Sequence, residues 1–348
     1  MNISAERTRG REGTSGHEAR LLTCANRDAQ SGANLALMLI DASSLEEHRR
    51  AGFELISRVP LAFVWRQFAS RHECDALVAH GEAARDFTAQ QVAPSGAGAQ
   101  DEAQISYGIE GFRRVVEMNG KVYAEVGSDL EDLGGGRLSE TAETLVERFN
   151  CTSAAFLGHD AGPHDDQWQN VVNCTPNSTD GASGPSCLLQ GMHVDTYNDS
   201  APRFATSLLY LRCPLQGGET LFASDVEAGT ALLDSGVEST LEDAAERISV
   251  ARSGRSAARA LEESARPLVS PGAGTLLLFF VRGPHGAVCP AGFHGSSRPH
   301  GGDKWTLQTF WAAPPGANIE NYAQERFAHV LSCPGLSDGG EHAPASLR

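Results

Sequence analysis

His193-Val-Asp195 sets an imidazole and a carboxylate two residues apart, so that in an extended strand both side chains project to one side. A second histidine brought to the same point would complete a two-His, one-carboxylate set. That set holds Fe(II) on one face of the metal and leaves the opposite positions open to a co-substrate and O2. His285, His294 and His300 all lie in one short segment and are the candidates for the third ligand. A lone His-x-Asp is more often a surface pair than a metal site, so its surroundings have to decide.

Those surroundings are ordered. After Asp195 come Arg203-Phe-Ala-Thr206-Ser-Leu-Leu-Tyr210-Leu211, then Gly217-Gly218-Glu219-Thr220-Leu-Phe222, then Pro271-Gly-Ala-Gly274-Thr-Leu-Leu-Leu-Phe279. Finally His294 precedes Lys304-Trp305 by ten residues. In this order the elements resemble the prolyl 4-hydroxylase-like branch of the Fe(II)/2-oxoglutarate-dependent dioxygenases. The resemblance spans residues 187 to 313, with a fainter likeness over about 55 to 80, where VPLAFVWRQFASRHECDALVAHGE begins at Val59.

The resemblance implies a mainly β fold with flanking helices, a double-stranded β-helix or jelly roll whose site opens between two facing sheets. It implies Fe(II) held by His193, Asp195 and His294, with 2-oxoglutarate and O2 as co-substrates and ascorbate as a reductant. His294 is preferred over His285 and His300 because it alone stands ten residues before Lys304. Lys304 offers a point charge for the distal carboxylate of the oxoacid. Thr206 and Tyr210 lie four apart on one strand, so both hydroxyls are expected to reach that same carboxylate. Asp195 favours hydroxylation of a C–H bond over halogenation, because halogenating relatives lack the carboxylate.

Substrate-reading positions match less well. Gln190 and Gly184 stand where peptidyl-prolyl hydroxylases usually carry tyrosines, and Phe310, followed by Trp311, stands where they carry a tryptophan. Arg203 matches an arginine that the family places near substrate. Arg203, Gln190 and Phe310 are therefore the expected substrate contacts. Peptidyl proline is the substrate class the resemblance brings with it; another amino-acid side chain, or a small metabolite, is the alternative. A non-catalytic jelly-roll binding module is a further reading, but it has no need of the metal set together with Lys304. A zinc hydrolase would need a general base near the histidines, and no H-E-x-x-H is present.

These residues must be positioned by elements legible in the pattern. Residues 1 to 34 are Gly-, Ser-, Arg- and Glu-rich without apolar period and read as a disordered tail, and 331 to 348 form a C-terminal tail. Residues 35 to 330 form one domain, with helical and strand support over 35 to 157. ALMLI (36 to 40) is a strand candidate. Ser43-Ser44 opens a helix running to about Leu55, VPLAFVWRQF (59 to 68) is a strand, and Ser70-Arg71-His72-Glu73 opens a second helix. A loop is expected at 88 to 104, a helix at 138 to 149, and a long surface loop at 158 to 186, rich in Gly, Asp, Asn, Pro and Ser. Beyond it MHVDTY, FATSLLYLR, ETLFAS, GTLLLFFVR and KWTLQTFWA read as short strands, with a helical insertion at about 240 to 265.

Composition narrows the partners. A net charge of -16 speaks against nucleic acid, whose binding relies on clustered Lys and Arg. No apolar run approaches the roughly 20 residues of a membrane span. A peptide, protein or small-molecule substrate remains. The eight cysteines include no C-x-x-C pair, which leaves a zinc ribbon unsupported. Sequons at Asn150, Asn173, Asn177 and Asn198 suit a secretory protein, whereas the polar start lacks a signal-peptide core; the balance favours the cytoplasm and chance sequons.

Overall fold

The structure is a computed structural model that describes residues 45–91, 104–109, 111–118, 121–126, 136–157, 169–174, 194–195, 203–223, 266–269, 272–282, 289–297 and 299–312. Both expected tails, the strand at 36 to 40 and the insertion at 240 to 265 lie outside them.

Helix α1 (Leu45–Arg50) ends sooner than its pattern suggests. Gly52 takes φ 102°, its N–H bonds to the Arg49 carbonyl, and the Phe53 N–H reaches back to His48. This left-handed cap stops the helix. A Cβ at Gly52 would lie 2.5 Å from the Trp65 ring, so only glycine fits. The expectation of helix to Leu55 is thereby corrected: Glu54–Arg58 is strand β1, antiparallel to β2 (Leu61–Trp65). Helix α2 (Arg71–Gln91) starts as read from the sequence, with the Ser70 N–H and hydroxyl donating to Glu73 and the Glu73 N–H to Ser70 Oγ. Helix α3 (Glu140–Leu157) continues two turns past the expected end, because Phe149 and the run Thr152 to Leu157 are all buried.

Strands β3 (Gln104–Ile109), β4 (Phe112–Met118) and β5 (Lys121–Val126) form a meander that the sequence reading missed. The segment 158 to 186, expected as loop, carries β6 (Gln169–Cys174), which sits between β5 and β12. Then follow β7 (Arg203–Arg212), β8 (Thr220–Phe222), β9 (Arg266–Val269), β10 (Leu276–Phe280), β11 (His294–Ser296) and β12 (Lys304–Ala312). Val194 and Asp195, the described part of MHVDTY, belong to no strand.

Among the described residues the strands form two sheets. The large one runs β1-β2-β10-β7-β12-β6-β5-β4-β3 and the small one β11-β8-β9. From β7 onward the chain crosses between them, β7 large, β8 and β9 small, β10 large, β11 small, β12 large, and β12 inserts between β6 and β7. That winding is a double-stranded β-helix, a jelly roll with helices on its outer face.

The pleat divides the central strands into two cores. Leu209, Leu276, Leu278, Trp305, Leu307 and Trp311 pack with the α2 and α3 side. Tyr210, Leu277, Phe279, Phe222 and Val281 pack between the sheets. Both faces of β7 and β10 are thus covered, which is why β10 is apolar throughout and β7, between its two terminal arginines, carries no polar side chains other than those of Thr206, Ser207 and Tyr210. No helix of the described residues is long and apolar enough to cross a membrane.

Cys151 and Cys174 are disulfide-bonded, whereas Cys74, Cys213 and Cys289 are free. Asn173 is 1% exposed, its amide donating to the Lys304 carbonyl, which leaves no room for a glycan on the folded chain.

Candidate active site

Between the sheets the fold brings Asp195 and His294 together. Asp195 precedes β7, its neighbour Val194 packed on the inter-sheet core, and His294 opens β11 just after the turn at Pro290–Gly292. Both are 7% exposed. The imidazole is walled by Phe279, ring centroids 4.6 Å apart, and by Phe222 at 5.8 Å. Its Nδ1–H donates to the Gly292 carbonyl at 2.9 Å, and Nε2 faces Asp195 Oδ2 at 3.1 Å. The Thr206 hydroxyl donates to the same oxygen at 2.8 Å.

With its proton on Nδ1, a neutral imidazole would point a lone pair at a carboxylate oxygen. Two acceptors hold that position only with a positive charge between them, either a proton or a cation. Burial pushes the His294 pKa down, but the Asp195 charge and hydrogen bond together with the Gly292 carbonyl outweigh it and leave the pKa raised. The donor set, imidazole nitrogen and carboxylate oxygen with a carbonyl fixing the tautomer, is what a divalent first-row metal takes. The residues fit such an ion. His193 lies outside the described residues, among which no group of three or more His, Cys, Asp or Glu gathers.

A second cluster lies further along the same face. Lys304 opens β12, is 6% exposed, and its ammonium donates to Ser296 Oγ at 2.7 Å while sitting 5.4 Å over the Tyr210 ring. The Tyr210 hydroxyl pairs with Thr220 Oγ1 in a short hydrogen bond, and burial pushes its phenol far above the usual range. Gly218, at φ 76°, lets the turn before β8 pass beside the Lys304 stem, 3.6 Å from where its Cβ would be.

Thr206 and Tyr210, expected to reach one carboxylate, make different contacts. They do face one side of β7, but about 13 Å separates them at the rise of a strand. Thr206 lies opposite Phe310 and serves Asp195; Tyr210 lies opposite Thr306 and meets Thr220. Thr220, which ends the Gly-Gly-Glu-Thr turn, was not singled out from the sequence although it pairs with Tyr210. Ser296 was missed as well, two residues past His294.

Arg203 and Phe310 meet directly, the guanidinium carbon 4.0 Å over the ring. Burial lowers the Arg203 pKa, against the opposing pull of the nearby Asp195 charge. Trp311 faces the other way, into the helix-side core, donating to Ser207 Oγ at 2.9 Å. Of the other histidines, His300 is exposed and tied by backbone bonds to Gln216 at the rim. His285 and Gln190 lie outside the described residues.

No family model matches the chain, and no curated protein matches it. Solved structures do. The viral collagen prolyl hydroxylase of Paramecium Bursaria Chlorella virus-1, in its 2-oxoglutarate complex, is similar at 14% identity and TM-score 0.34, over 72% of this chain and 93% of that one. A Pseudomonas putida prolyl-4-hydroxylase is similar at 12% identity and TM-score 0.37, over 80% and 99%. The rice dioxygenase for auxin oxidation is similar at 14% identity and TM-score 0.39, over 84% and 93%. Likeness at this level assigns no activity; the chemistry rests on the chain's own residues.

Proposed function

We propose that this protein is an Fe(II)- and 2-oxoglutarate-dependent oxygenase that hydroxylates a C–H bond. The observation that carries the reading is the Nε2 to Oδ2 apposition of His294 and Asp195, 3.1 Å apart in a buried, aromatic-walled gap. In this reading His193, Asp195 and His294 hold the iron, with Thr206 orienting the carboxylate and the Gly292 carbonyl orienting the imidazole. Lys304 and Tyr210, with Thr220 beside them, bind the distal carboxylate of the oxoacid. Bound there, iron with the oxoacid and O2 supplies the oxidant for hydroxylation, as the oxoacid is decarboxylated to succinate. Phe222 and Phe279 keep water from the metal position.

Peptidyl proline is the first substrate class to test. A second class, another amino-acid side chain or a small metabolite, is favoured by one contact. The Arg203 guanidinium lies over the Phe310 ring and covers one face of it. Enzyme supplied with Fe(II) and 2-oxoglutarate, incubated with peptide and metabolite panels, should add one oxygen to a member of one panel by mass spectrometry. A gain confined to proline peptides would remove the second reading.

A further inference from the structure

Two hydroxyls of the small sheet meet two polar groups of the large one. Ser296 on β11 is the direct cross-strand partner of Thr220 on β8, so their side chains lie side by side on one face. From the opposite sheet, Lys304 on β12 reaches Ser296 and Tyr210 on the adjacent β7 reaches Thr220. One ammonium and three hydroxyls therefore converge where the sheets meet.

We propose that Ser296 is a carboxylate-binding residue that completes a four-point cradle with Lys304, Tyr210 and Thr220 for the distal carboxylate of a dicarboxylic oxoacid. This rests on the reading given above and extends it to a residue that the motif does not supply. The Ser296 hydroxyl accepts from Lys304, and its own proton goes to the Ser297 carbonyl at a long 3.3 Å. That carbonyl already accepts the Gly218 N–H at 3.2 Å. Rotation of the hydroxyl can therefore redirect its proton to an incoming carboxylate without orphaning the carbonyl. Strand β11 thus carries His294 at one end and Ser296 at the other, tying the metal position to the oxoacid position through a three-residue strand.

Calorimetric titration of the Mn(II)-loaded protein with 2-oxoglutarate, and with 2-oxovalerate, which lacks the distal carboxylate, tests this. Ser296→Ala should weaken 2-oxoglutarate binding about tenfold, the scale of one hydrogen bond to a charged group. It should leave 2-oxovalerate and Mn(II) binding within about twofold of the unaltered protein, by the same arithmetic, and Ser296→Thr should restore 2-oxoglutarate. Equal 2-oxoglutarate affinity in Ser296→Ala, or a matching loss for both acids, would overturn the role of Ser296 alone. Failure of the unaltered protein to bind 2-oxoglutarate would overturn the oxygenase reading itself.

Discussion

His294 Nε2 faces Asp195 Oδ2 at 3.1 Å across the gap between the two sheets, while the opposite nitrogen of the ring is committed to the Gly292 carbonyl. This orientation requires positive charge at the meeting point. His294→Ala should therefore abolish stoichiometric Fe(II) binding, and His300→Ala, on the exposed rim, should leave it unchanged; anaerobic iron titration reads both. Thr206→Val, which removes the hydroxyl on Asp195, should lower metal affinity about tenfold, as loss of an outer hydrogen bond to a ligand does.

Lys304 should govern the oxoacid and not the metal. Lys304→Ala removes the charge from a pocket of hydroxyls and should weaken 2-oxoglutarate about a hundredfold, the scale for truncating one side of a buried charged contact. Mn(II) binding should be spared. A titration showing the same loss for metal and oxoacid would place Lys304 outside the role assigned to it.

Jelly-roll strands β7, β8, β10 and β12 were legible because each is a short segment rich in leucine, aromatic and β-branched residues, bounded by turn residues. Strand β6 was not, since QNVVNC is half polar and embedded in a stretch dense in Gly, Asp and Pro. Its strand state comes from pairing β5 and β12, which no local pattern records. The site divides in the same way. His294 and Lys304 were singled out by their ten-residue spacing, and the fold buries both. Thr206 and Tyr210 were assigned one ligand because parity gave their shared face; in the fold Thr206 bonds Asp195 and Tyr210 bonds Thr220. Ser296 and Thr220 become neighbours only through cross-strand register, and Lys304 and Tyr210 reach them only across the sheet gap.

Arg203 and Phe310 are the contacts proposed to set substrate choice. Phe310→Ala removes the ring beneath the guanidinium and should raise the KM of the organic substrate several-fold while leaving 2-oxoglutarate affinity as it was. Steady-state kinetics with each substrate varied in turn separates these effects.

Glu73 couples helix α2 to α3 and carries a pH signature. Burial raises its carboxyl pKa, but the Arg148 guanidinium at 2.7 Å and the Ser70 N–H and hydroxyl outweigh it, holding the pKa at about 2. The unfolded value is about 4.3. The unfolded chain then binds more protons between those values, so this stabilisation is complete above about pH 4.3 and fades as pH falls toward 2. Glu73→Gln should destabilise the protein by about 1 kcal/mol at pH 7, a modest figure because the pair is partly solvated. Urea unfolding across the pH range should show that difference shrinking below pH 4.3.

Thiol labelling tests the cysteine assignment. Burial pushes the Cys74 thiol up to about 12 and the Cys213 thiol up to about 11, so both should alkylate slowly in the folded protein and quickly once it is unfolded. Cys151 and Cys174 should label only after reduction, as peptide mass spectrometry would show.

The central claim is that the fold assembles an iron and oxoacid centre that turns over. The direct measurement is succinate formed from 2-oxoglutarate under air, with and without added Fe(II), for the unaltered protein and for Asp195→Ala. Succinate that depends on iron and disappears in Asp195→Ala is the predicted result. Absence of succinate with every candidate substrate present, together with failure to bind Fe(II), would contradict it.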